Sequence, residues 1–206
     1  MKNSLKTVGI STLSAYSTVL FSGSPILGFL IFCATLFNPP AALTGLLGIL
    51  FSNFLALFLG VYEERIRKGL YGFNGLLVGL SVSIYHQVDL NLIIILLAAI
   101  ILLVFVTLSL EYILSYFFGL PVLSLPFVIV SIILYLSFYD YKGLTNKQAY
   151  VFPYDNLFPE IPYYILYYLK SLGGIFFQSS PWSGLCIAII LLISSRIVFL
   201  LSVLGF

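Results

Sequence analysis

Charge is what this sequence has least of. Asp, Glu, Lys and Arg make up 8% of its 206 residues, against about 25% in a soluble domain. Nine basic and seven acidic side chains cannot coat a globule of this size in water, so lipid must solvate most of its surface. A net charge of +2, with no basic run interleaved with aromatics, excludes nucleic acid as a partner. Cysteine is scarce too: Cys33 and Cys186 sit in separate apolar runs and read as small helix hydrophobes, not as a disulfide or a metal pair. There is one histidine, His86. No Ser/His/Asp constellation, metal cluster or phosphate loop stands in the chain, so nothing points to an enzyme or to a cofactor.

What is abundant is apolar. Hydrophobic residues make up 61% and the mean hydropathy is +1.14. A span needs about 20 mostly apolar residues, and the gaps between charge clusters are about that long. The sequence predicts an all-α, polytopic transmembrane bundle. Its spans fall roughly at 10–37, interrupted at Gly23-Ser24-Pro25, at 40–61 after Asn38-Pro39-Pro40, at 69–87, at 90–110 ending at Glu111, and at 119–139. Met1, Lys2 and Lys6 precede a Ser/Thr-rich stretch that reads as retained chain rather than a cleaved signal.

Glu63 to Lys68 reads as a solvated turn, and 140–160 as the longest polar connection. The run 161–206 is apolar again, broken near Gly173-Gly174 and Ser179-Ser180-Pro181. Lys2, Lys6 and the basic part of 63–68 fall on one side, which the positive-inside rule makes cytoplasmic; 140–160 is then external. His86 and Asp89 read as an interfacial pair, Glu111 as a boundary charge, and Arg196 as a short-loop or snorkelling residue.

An internal repeat follows from comparing the two ends of the chain. Phe21-Ser-Gly-Ser-Pro25-Ile-Leu-Gly28 matches Phe177-Gln-Ser-Ser-Pro181-Trp-Ser-Gly184 at a constant offset of 156 residues. With five spans between the copies, the second enters the membrane with opposite polarity, an inverted-topology arrangement whose site lies at the repeat interface. The expected organisation is one whole repeat over 1–139, the connection 140–160, and the opening of a second repeat over 161–206, which the chain holds only in part.

These residues carry a family resemblance. Besides the two copies just named, the chain has Asn38-Pro-Pro40, Gly69-Leu-Tyr-Gly-Phe73-Asn74-Gly-Leu-Leu77-Val-Gly79 and Leu120-Pro121-Val-Leu-Ser124-Leu-Pro126-Phe127. In order and spacing it resembles the urea transporter family of passive urea channels. The resemblance implies an inverted-repeat channel fold, a homotrimer in a plasma membrane (the inner membrane in a bacterium), and one pore per protomer with urea as its solute. It implies a selectivity filter at Phe21, Phe73, Leu77, Ser124 and Phe177. Two positions depart from the family: Thr18 and Gly174 stand where Gln or Glu is common. Two alternatives follow, a channel of the same fold for another small neutral amide or polar solute, and a non-conducting fragment or half-subunit of a split transporter.

The residue types suit the solute. Urea is flat and neutral, with four N–H donors and one strong acceptor, and each polar group left unpaired in a dry site costs about 1–3 kcal/mol. Opposed phenyl faces make a slot for a flat molecule. Hydroxyls such as Thr18 and Ser124, with carbonyls freed at broken helix ends, supply acceptors in its plane. Pro25, Pro121 and Pro181 are expected helix breaks, and Asn74 an amide that ties one of them. In this reading the site holds no ionisable group, so neither ions nor protons are coupled.

Overall fold

The structure is a computed structural model that describes residues 2–139, 144, 162–178 and 180–206. Among the described residues there are ten helices and no strand. They are α1 (Lys2–Thr18), α2 (Pro25–Thr35), α3 (Pro39–Phe58), α4 (Glu63–Arg67), α5 (Leu70–Tyr85), α6 (Leu90–Phe118), α7 (Leu125–Tyr139), α8 (Tyr163–Gly174), α9 (Pro181–Ser194) and α10 (Arg196–Leu204). The fold is all-α, and α3 and α6 are each long and apolar enough to cross a membrane. The expected connection at 140–160 lies outside the described residues, except for the buried Leu144.

Local chemistry sets the helix ends. Pro25, Pro39 and Pro181 each open a helix, where the missing N–H is one that has no intrahelical partner anyway. The Asp89 carboxylate accepts the Leu92 N–H at 2.7 Å and caps α6. Gly60, with φ 79°, closes α3. There Val61 N donates to Ala56 O and Gly60 N to Leu57 O, the paired bonds of a Schellman motif, with glycine at its left-handed position.

Two buried clusters hold the helices together. One joins Tyr16, Ile31, Ile49, Leu76, Leu172 and Ile187, so it binds α1, α2, α3 and α5 to α8 and α9. The other gathers Ile66, Tyr71, Leu92, Ile100, Leu103 and Val130 from α4 to α7. Helices α3 and α5 make the most extensive contact. A Cβ on Gly48 would collide with the Gly75 carbonyl, and one on Gly79 with the Thr44 carbonyl. Lipid tails are as apolar as leucine, so helix pairs in a membrane gain by close backbone packing, which small residues permit. Outward, Phe54, Phe58, Leu90 and Leu136 are exposed, a surface for which lipid is the natural solvent.

Three expectations need correction. Helix α6 does not end before Glu111 but runs on to Phe118. Glu111 fits inside it because its carboxylate is paired on both oxygens, with Arg65 Nη1 at 2.7 Å and the Tyr71 hydroxyl at 2.7 Å. The 63–68 turn contains the short helix α4, whose Ile66 is fully buried. The break in the first span starts at Val19, before the Gly-Ser-Pro signal. His86 packs edge-on against Phe138, with ring centroids 4.9 Å apart.

The repeat offset recurs in the fold. A Cβ on Gly28 would strike the Leu13 carbonyl, and one on Gly184 the Leu169 carbonyl. Ser24 and Ser180 are both extended, with φ −81° and −80°. Each accepts an N–H on its main-chain oxygen from the glycine four residues on, Gly28 at 3.1 Å and Gly184 at 3.2 Å. Helices α2 and α9 pack against each other.

Candidate functional site

Helices α1 and α8 end in the same turn. Ser22 N donates to Ser17 O and Phe21 N to Thr18 O; Gln178 N donates to Gly173 O and Phe177 N to Gly174 O. Both are Schellman ends, but the left-handed residue is phenylalanine, with φ 56° at Phe21 and 57° at Phe177. A non-glycine residue there costs about 1–2 kcal/mol, and such strain persists where surrounding structure enforces it. The return for that cost is position: the left-handed backbone sets each ring just past the end of its helix.

Both turns open on one cavity of about 1210 Å³. Its wall includes Thr18, Phe21 and Pro25 from the first turn, Phe73, Asn74 and Leu77 from α5, Pro121 and Ser124 from the segment before α7, and Phe177. Of the candidate filter and helix-break residues, Pro181 alone stays off this wall, buried at the start of α9, and the departing position Gly174 is off it too. Phe73 and Leu77, one turn apart on α5, are mostly buried and present only an edge. Phe21 is 88% exposed. Phe177 is half-buried and meets Phe127 edge-on, with centroids 6.0 Å apart.

The polar groups on the wall have defined roles. The Thr18 hydroxyl lies 2.7 Å from Ser14 O and 3.2 Å from Lys68 O. Its proton is committed to a carbonyl, which leaves it an acceptor toward the cavity. Asn74 Nδ2 donates to Leu123 O at 3.1 Å, and Leu123 is itself left-handed, φ 48°. The amide therefore ties the helix break that places Ser124. Gly174 offers no acceptor, although a side chain there would meet open space.

One feature departs from the sequence reading. The wall also carries Arg67, Lys68, Tyr71 and Glu111, so it is not free of ionisable groups. Glu111 is neutralised by Arg65 and hydrogen-bonded by Tyr71, and Lys68 pairs with Glu64 at 3.3 Å.

Sequence reasoning missed Phe127 as a wall residue, although it closes the quoted Leu120–Phe127 segment. It also missed Gln178, which stands next to Phe177 and is buried. The signal available for Gln178 was a long polar side chain at the repeat position where the first copy has Ser22.

Comparison with known proteins adds two findings. The family model described as urea transporter matches residues 10–206. Urea transporter 1 of Ovis aries and urea transporter 1 of Capra hircus are each 40% identical to the chain over 76 residues. That stretch covers 36% of this chain and 20% of each relative, so the match spans about a fifth of the relatives' length.

Proposed function

This chain belongs to the urea transporter family, a family of membrane transporters and not of enzymes, and on that premise we propose that it carries urea passively across a membrane through the cavity between its two phenylalanine turns. The observation behind this reading is the pair of left-handed Phe21 and Phe177 rings at the wall of one cavity, each at the end of a broken helix.

Flat urea slides between aromatic faces while its N–H groups meet acceptors in its own plane. Those acceptors are the carbonyls at the ends of α1 and α8 and the hydroxyls of Thr18 and Ser124. Phe73 and Leu77 narrow the slot from α5, and Asn74, Pro25, Pro121 and Pro181 hold the helix breaks. Glu111 and its partners form the charged part of the wall, where water still solvates the solute. No proton or ion is consumed by this passage, because the aromatic part of the wall offers nothing that titrates.

The assembly that fits this reading is a homotrimer in a plasma membrane, the inner membrane in a bacterium, with the N-terminus cytoplasmic. The first repeat is 1–139, the external connection 140–160, and the second, inverted repeat opens at 161. Thr18 and Gly174 favour one second reading, a conduit of the same fold for another small neutral amide, since Gly174 withdraws an acceptor from one end of the slot. Isotope-labelled urea uptake into proteoliposomes, competed with methylurea, acetamide and ammonium, tests both. Uptake blocked best by unlabelled urea supports the first reading, uptake blocked best by another amide the second, and no uptake above empty liposomes overturns both.

A further inference from the structure

The two phenylalanine turns share a backbone geometry but are not anchored alike. In the first, Ser22 is short, and its hydroxyl reaches only Ser24 N, within the same turn, at 3.4 Å. In the second, Gln178 is 1% exposed, and its Nε2 donates to Thr35 O at 2.8 Å, 143 residues away. Its main-chain N–H closes the α8 end on Gly173 O. Phe177 therefore directly precedes a residue held at two points, by its main-chain N–H to its own helix and by its side chain to the end of α2. Phe21 has no such second anchor, and the rings differ accordingly: Phe21 is 88% exposed, whereas Phe177 is half-buried against Phe127.

We propose that Gln178 is the positioning residue of Phe177: its bond to Thr35 ties the second turn to the first repeat and fixes the ring that sets the width of the slot. This inference rests on the transport reading above for its functional consequence. An aromatic slot discriminates by shape only as sharply as its faces are held, so the Phe177 face carries discrimination between urea and bulkier amides. Thr35 O also accepts the Asn38 N–H at 3.1 Å. Removing the Gln178 donor leaves that carbonyl partnered, so the helix end survives while the tether is lost.

The test uses Gln178→Met, which keeps a long unbranched side chain without a donor, and Gln178→Leu should the first variant not yield folded protein. Urea and methylurea fluxes are measured in proteoliposomes, alone and in a Phe177→Ala background. Acrylamide quenching of Trp182, the single tryptophan and five residues beyond Phe177, is read on the same samples. The expected result is a fall of about threefold to tenfold in the urea-to-methylurea ratio, no further fall when Phe177 is already alanine, and stronger Trp182 quenching. An unchanged ratio in folded variant protein, or a fall that adds fully to that of Phe177→Ala, overturns the assignment. If the unaltered chain moves no urea, the transport reading fails separately. Trp182 then decides the positioning role alone: raised quenching retains it and unchanged quenching rejects it.

Discussion

Phe21 and Phe177 stand 156 residues apart and adopt the same left-handed backbone, φ 56° and 57°, at the ends of α1 and α8. Helix α3 closes in the same way but with Gly60. Glycine is the residue this position favours, so the two phenylalanines are kept against local preference.

That preference gives a first prediction. Phe21→Gly relieves about 1 kcal/mol of backbone strain and sacrifices little burial, because the ring is exposed. Thermal stability in detergent should stay level or rise, while discrimination between urea and methylurea falls. Phe21→Ala should lose the same discrimination without the gain in stability. A glycine variant clearly less stable than the alanine one contradicts the strain argument.

The two repeat glycines give a second. Gly28→Ala and Gly184→Ala drive a methyl into the carbonyls of Leu13 and Leu169. Neither backbone can yield cheaply, so each should cost more than about 2 kcal/mol. Size-exclusion profiles and melting curves check this, with Gly23→Ala as a neutral control, since its Cβ meets open space.

Asn74 gives a third. Asn74→Leu removes the donor that holds Leu123 O and should cost about 1–3 kcal/mol. Proteolysis in the segment preceding α7 should accelerate, and urea flux should fall more than Ser124→Ala alone lowers it.

Much of this was legible in the residues. The apolar runs, the Gly-Ser-Pro break and the 156-residue offset belong to the sequence itself, and the wall residues Phe21, Phe73, Leu77, Ser124 and Phe177 came from motifs. What was not legible depends on partners distant in the chain. Glu111 looked like the end of a span because a charge in lipid is costly, and only the contacts with Arg65 and Tyr71 let α6 continue. Gln178 was missed because its partner, Thr35, lies 143 residues away in the chain. Left-handed phenylalanine has no sequence signal, since glycine is the expected residue.

The most direct test is stopped-flow light scattering on proteoliposomes under an imposed urea gradient, comparing the unaltered chain with Phe21→Ala, Phe73→Ala and empty liposomes. Fast, saturable urea entry that both substitutions alter is the predicted result. Urea entry no faster than in empty liposomes, with the protein inserted and folded, contradicts the account.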